Sequence, residues 1–252
     1  MDSESRQARI VEFARTRERV EVGALADELG VASETIRRDL KVLAGRRLLK
    51  RVHGGAIAVE TAGFESGLQY RSQVDLAQKH RIAGAAAGLV HGAETVYLDE
   101  GFSPRLIAER LTDSALTVVT SSLLAAEALA DSTSVTVLLL GGRLRGRTLA
   151  TVDHWAVSRL QTLQIDLAYL GTNGVSLEHG LTTPDPAVAA VKQAAVRASR
   201  RSVLVAAHSK FGVDHFARFA EIAQFETIVT GTELPAVEAQ RYEALGPRVI
   251  RA

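Results

Sequence analysis

The stretch 33-SETIRRDLKVL-43 decides how the rest of the chain is read. Ile36, Leu40 and Leu43 recur at i, i+4 and i+7, which is one face of a helix. At about 100° per residue, Glu34, Arg38 and Lys41 fall roughly opposite that apolar stripe, and Thr35 and Arg37 flank it. Ser33 is expected as the N-cap, because its hydroxyl can accept a free amide of the first turn. One face packs and the other offers cations. A solvated surface helix has the same pattern, so the neighbouring segments must decide.

Upstream, Val22–Leu29 reads as a helix with Leu25 and Leu29 at i, i+4, and Arg6–Arg17 as another with Ile10, Val11 and Phe13 as apolar anchors. Gly30-Val31 makes a tight turn between the second and third helices, since glycine accepts the left-handed conformation at a helix end. Two short helices on such a turn form a helix-turn-helix, whose second helix fits the B-DNA major groove, about 12 Å wide. Downstream, Leu48–Ala56 is short, partly alternating and ends at a glycine pair, so it reads as a small hairpin or wing. Lys50, Arg51 and His53 on it could reach phosphate or the minor groove; a structural turn histidine is the other reading of His53. Ser33–Gly54 holds seven basic and two acidic residues, whereas Thr61 to the end holds 18 and 19. A local basic patch on an otherwise neutral chain is the electrostatic footprint of nucleic-acid binding.

Composition narrows the remainder. The 252 residues are 46% apolar, enough for a sizeable core. With no cysteine, disulfides and thiolate metal sites are excluded, and the seven histidines lack ligand spacing, so no metal and no cofactor are expected. Met1 is followed by Asp2 and Glu4 rather than an apolar leader, and the longest apolar runs, such as Val135–Leu140, fall well short of the roughly 18 residues a membrane helix needs. A cytoplasmic protein without membrane contact is expected.

The expected organisation is a winged helix-turn-helix over residues 1–57, a linker over 58–75 carrying Gly63 and Gly67, and a second domain over 76–252. In that domain strand patterns at Thr95–Glu100, Leu116–Ser122, Val135–Gly142, Ile165–Gly174, Arg201–Lys210 and Glu226–Gly231 are interspersed with helical ones at Lys79–Val90, Pro104–Leu111, Leu123–Ala130 and Ala187–Arg200. Such alternation implies an α/β fold with a mostly parallel sheet covered on both faces. Ligands then bind at the carboxyl ends of the strands. Those ends carry Asp99-Glu100-Gly101-Phe102-Ser103 followed by Arg105, then Ser121 and Ser122, Gly142-Arg143, Gly171-Thr172-Asn173, and His208-Ser209-Lys210. Several polar, glycine-rich strand ends in one sheet suit an anionic small ligand such as a sugar phosphate, captured by turn amides together with Lys192 or Lys210.

The segment VASETIRRDLKVLAGRRLLKRVHGGA (31–56) resembles the DNA-binding segment of DeoR-type bacterial transcription regulators. The resemblance extends through LDEGFS, LTVVTSS, LLGGRLR, LGTNGVS, GLTTPDP, AAVKQA and AAHSKFG, in the order of the DeoR-type sensor domain, and so covers nearly the whole chain. It implies base-reading by Ser33, Thr35, Arg37 and Arg38, with Lys41 and Arg51 on phosphate. It also implies a sensor domain similar to ribose-5-phosphate isomerase and glucosamine-6-phosphate deaminase. The implied effector site uses Asp99, Gly101, Ser103, Thr120, Ser121, Gly171, Asn173, Lys192 and Lys210. The chain departs from the family where Phe102 stands for a frequent threonine, Ser121 for asparagine, Asn173 for aspartate and Ala207 for aspartate.

The expected function is a sequence-specific transcription regulator of a sugar operon: a repressor, acting as a dimer or higher homo-oligomer on operator DNA and released by a phosphorylated sugar. The alternatives are an activator with the same sensor, or a DNA-tethered isomerase. Aldose–ketose chemistry needs a positioned base. Asp99, Asp185, His179 and His208 are the candidates, but Asn173 and Ala207 remove ionisable groups, so no enzyme is expected.

Overall fold

The computed structural model describes residues 2–17, 19–46, 48–58 and 68–252. The chain divides into two compact units, residues 1–70 and 71–252. Residues 59–67, most of the expected linker with both of its glycines, and Arg47 of the basic patch lie outside the described residues.

The first unit runs α1 (Ser3–Arg17), β1 (Arg19–Glu21), α2 (Val22–Leu29), α3 (Ser33–Gly45), β2 (Leu49–Val52) and β3 (Gly55–Ala58). Ile10, Leu25, Ile36, Leu40, Leu43 and Leu49 form its core, so the apolar stripe of α3 is the buried face. α1 starts before Arg6 because the Asp2 carboxylate accepts the Ser5 amide at 2.8 Å, a cap that also lowers the Asp2 pKa. Gly30 is left-handed (φ 63) between α2 and α3, as the turn requires. The cap of α3 differs from expectation. Ala32, not Ser33, is the N-cap, because the Ala32 carbonyl accepts the Thr35 and Ile36 amides at 2.9 and 3.3 Å. Ser33 is therefore the first helical residue.

The wing is a hairpin in which Val52 pairs with Gly55 across a His53-Gly54 turn. A third strand joins it: β1 pairs with β3, giving the order β1-β3-β2. At Gly55 the strands approach so closely that a Cβ would collide with the Val20 carbonyl.

α4 (Leu68–Gln73) occupies part of the expected linker, and Ala58 closes β3. The second unit then runs α5 (Leu76–Ala87), β4 (Thr95–Leu98), α6 (Phe102–Ala108), β5 (Leu116–Thr120), α7 (Leu123–Leu129), β6 (Val135–Leu139), β7 (Arg143–Arg145), β8 (Ala150–Val152), α8 (His154–Leu160), β9 (Ile165–Leu170), β10 (Gly174–Ser176), β11 (Gly180–Thr183), α9 (Pro186–Ala198), β12 (Ser199–Val205), β13 (Ala217–Ala220), β14 (Thr227–Thr230), α10 (Ala236–Glu243) and β15 (Arg248–Arg251).

Seven strands form one sheet in the order β15-β14-β12-β9-β4-β5-β6, and every pairing is parallel. Alternate residues feed two cores. Val96 and Leu98 of β4 join Ile82, Leu106 and Ala125 under α5–α7. Tyr97 joins Leu160, Val188 and Val191 under α8 and α9. Burial on both faces is what an all-parallel sheet demands. The antiparallel sheet β10-β11-β13 and the hairpin β7-β8 are additions. The chain lays β4, β5 and β6 outward in one direction, then returns to add β9, β12, β14 and β15 on the other side. The order thus reverses between β4 and β9, which is where such folds open a crevice.

Candidate functional site

The first site lies on α3 and the wing. Arg37, Arg38, Lys41, Lys50, Arg51 and His53 are exposed, while Ser33 and Thr35 are half-buried. Arg37 pairs loosely with Glu34 at 3.3 Å. Arg38, Lys41, Lys50 and Arg51 have no ion-pair or side-chain hydrogen-bond partner among the described residues, so their charge is available to a ligand. Arg19 donates to the His53 carbonyl at 3.4 Å, which leaves the imidazole free of that contact.

One residue of α3 has a role the sequence did not reveal. Asp39 is buried and accepts from Arg6 Nε at 2.6 Å and Gln7 Nε2 at 2.9 Å. The ion pair raises the Arg6 pKa. It fixes the roll of α3 against α1, so the cations face outward. Its signal is position: Asp39 sits about 60° from Ile36 on the wheel, beside the apolar stripe rather than opposite it.

The second site lies at the reversal point. Past Leu98 the alternation of β4 carries Asp99 onto the face covered by α9. There the buried Lys192 donates to Asp99 Oδ2, and to the Gly171 carbonyl at 3.2 Å. Gly171 N, at the end of β9, donates to the same Oδ2 at 2.9 Å. Glu100, also buried, brings Oε1 to 3.7 Å from Lys192 Nζ. Residues 93 apart are thus joined, with two carboxylates around one ammonium. Asp99 Oδ1 has no hydrogen-bond partner among the described residues.

Gly101 (φ 110) leads from this cluster into α6, and Arg71 Nη2 lies 3.4 Å from where its Cβ would stand. The buried Lys79 holds that arginine's segment by donating to the Arg71 and Val74 carbonyls at 2.6 and 2.7 Å. Arg71 and Lys79 were absent from the sequence-based site, and Glu100 was read at the strand end but not among the implied effector residues; Arg71 fell inside the expected linker.

The remaining candidates divide. Thr120 donates to the Leu98 carbonyl at 2.6 Å, and Ser121 Oγ lies 3.1 Å from the Tyr97 hydroxyl, so both tie the end of β5 to β4. Burial, aided by nearby Asp99, pushes the Tyr97 phenol far above its usual range. Thr172 Oγ1 donates to Gly174 and Thr182 carbonyls, and Asn173 accepts from Thr183 at 3.0 Å, bracing β10 against β11. Arg105 pairs with Glu109 at 3.2 Å and lies over the Phe102 ring. Ser103 is half-buried, and Lys210 sits in a 3-10 turn, His208–Lys210. Gly142 and Arg143 are exposed on the hairpin, where Arg143 pairs with Asp153 at 2.7 Å; that partner raises its pKa, and no described contact joins it to Asp99 or Lys192.

The candidate bases are engaged separately. Asp185 caps α9 through the Ala187 amide at 2.8 Å and pairs with Arg145 at 2.9 Å. His179 pairs with Asp214 at 3.2 Å, and His208 Nδ1 faces Gln78 Nε2 at 3.0 Å. No group of three or more metal-ligating side chains occurs among the described residues.

Comparison with known proteins now decides the family. A model of the DeoR-like helix-turn-helix domain matches residues 6–62, and a model of the DeoR C-terminal sensor domain matches residues 74–232. The chain belongs to the DeoR family. It is similar to the HTH-type transcriptional regulator GlpR of Haloferax volcanii, with 35% identity over 97% of this chain and 96% of that one. It is 28% identical to the glycerol-3-phosphate regulon repressor of Escherichia coli, over 93% of each. The HTH-type transcriptional repressor GlcR of Bacillus subtilis is 28% identical over 91% of this chain and 89% of that one. Among solved structures, ribose 5-phosphate isomerase A from Methanocaldococcus jannaschii aligns with 54% of this chain and 55% of that one, at a TM-score of 0.41 and 14% identity. So loose a likeness carries no reading of the site. This DeoR-family chain is a transcriptional regulator and not an enzyme: the relatives matching nearly its whole length are named regulators. No described helix is long and apolar enough to cross a membrane.

Proposed function

We propose that this regulator represses a sugar uptake or catabolism operon and releases its operator when a phosphorylated sugar binds the second unit. The regulator works in the cytoplasm, as a dimer or higher homo-oligomer on repeated half-sites. Ser33, Thr35, Arg37 and Arg38 face the bases; Lys41, Arg51 and His53 hold phosphates. The domain limits are 1–57 and 76–252.

The observation that carries the effector reading is the buried Asp99–Lys192–Gly171 cluster at the point of strand reversal. It also refines the roles. Lys192 already neutralises a carboxylate and has a second nearby, so the cluster suits sugar hydroxyls rather than a phosphate dianion. The phosphate belongs with Arg71, Lys210 and the amides of Gly101–Ser103. The names of the relatives, one a repressor of a glycerol-3-phosphate regulon, support a phosphorylated ligand.

The test has two arms. Footprinting on genomic DNA should find a protected site upstream of a sugar operon. Thermal unfolding should shift upward with one sugar phosphate and not with its unphosphorylated parent; binding at 100 times Kd adds about 2.7 kcal/mol. A protein with no preferred DNA site, or one that no sugar phosphate stabilises, would contradict the reading.

A further inference from the structure

α5 begins on a strained residue. Asp75, at its N-cap, is one of three non-glycine residues with a left-handed backbone among the described residues (φ 53, ψ 32). Such a conformation persists only where the surroundings hold it. The Asp75 carboxylate does not cap the helix. It accepts instead from Ser209 Oγ at 2.8 Å. One turn on, the buried Gln78 accepts the His208 amide at 2.9 Å and sets its Nε2 3.0 Å from His208 Nδ1. The same Nε2 donates to Glu233, which Arg81 holds at 2.7 Å. The turn after β12, His208–Lys210, therefore grips the first turn of α5. Lys79 carries the grip backwards through the Arg71 and Val74 carbonyls. Residues 71–74 directly follow Tyr70, the last residue of the first unit.

Ser209 is exposed, and Asp75 and His208 are half-buried. Their contacts compete with water, so each is weak, and with a strained residue at the centre the grip opens at small cost. The two cations assigned to the effector phosphate, Arg71 and Lys210, stand at its two ends. We propose that this grip is the two-state element through which the second unit answers its ligand. A phosphate shared by Arg71 and Lys210 favours the gripped state, with Asp75 left-handed and residues 71–74 pinned; operator DNA is bound in the released state. A ligand shifts an equilibrium only through different affinities for its two states, and release parts the two cations that share the phosphate. The proposal rests on the effector reading.

The test is operator binding by the full chain, with pentose phosphates, hexose phosphates and glycerol 3-phosphate added in turn. D75A removes the carboxylate and penalises the left-handed backbone, whereas D75N keeps an acceptor oxygen and a residue that tolerates that backbone. D75A should need about tenfold or more of the compound that releases the wild type, with operator affinity undiminished in its absence; D75N should respond as the wild type does. A merely structural role for Asp75 would instead weaken operator binding itself. Hydrogen exchange in the wild type is a readout independent of any variant's folding: the same compound should slow residues 71–79 more than residues 80–87. A wild type that no sugar phosphate releases would remove the effector reading and this proposal together. A wild type that responds, with D75A released at the same concentration or with exchange of residues 71–79 unaltered, would overturn the grip alone.

Discussion

The cations of α3 and the charges around Lys192 use the same side-chain chemistry in opposite ways. On α3, Arg38 and Lys41 stand in water without partners; in the second unit Lys192 is buried against Asp99 and Glu100. Exposed charge costs the fold little and is free to meet DNA. Buried charge is held by its partner, and its removal is felt by the whole unit. Burial, not residue type, separates affinity residues from architectural ones.

Removing Lys192 should break this contrast most strongly. Lys192→Met removes the buried ammonium that faces Asp99 and Glu100 and should lower stability by about 3–5 kcal/mol, measured by denaturant unfolding. Asp99→Asn should cost less, since Glu100 still faces the ammonium. Arg38→Ala should do the reverse: stability unchanged, operator affinity down by about 1–3 kcal/mol with relaxed specificity. Equal loss on operator and random DNA would make Arg38 a phosphate contact instead. Lys41→Ala and Arg51→Ala should each weaken binding on all sequences and reduce the slope of log affinity against log salt by about one.

The smallest expected effect concerns acid. Arg81 first, and Gln78 second, hold the Glu233 carboxyl down at about 2 against an ordinary 4.5. A depressed carboxylate stabilises above its unfolded pKa, so this contribution is complete above about pH 4.5 and disappears as pH falls towards 2. Glu233 is half-exposed, so salt screens the effect. Comparing acid unfolding of Glu233→Gln with wild type should show a slightly flatter pH profile in the variant.

The sequence made the helices of the first unit and the strand ends of the second readable for physical reasons. Ile36, Leu40 and Leu43 repeat with the helical period, and β-then-α alternation places Asp99 and Gly171 after strands. Short elements escaped. β1 is three residues, and β10 and β11 are three and four buried residues with no alternation to detect. α8 is seven residues, too short for a clear period. The role of Lys192 was hidden because its partner is remote in sequence. Ser33 looked like a cap by type, yet the preceding carbonyl took that place.

The central claim is that one chain couples operator affinity to a sugar phosphate. Fluorescence anisotropy of the full chain on DNA from upstream of its own gene tests it directly, with random DNA as competitor and sugar phosphates added in turn. The account predicts specific binding that one sugar phosphate weakens, with operator DNA weakening that sugar phosphate's binding by the same factor. Specific binding that a bound sugar phosphate leaves unchanged would contradict it.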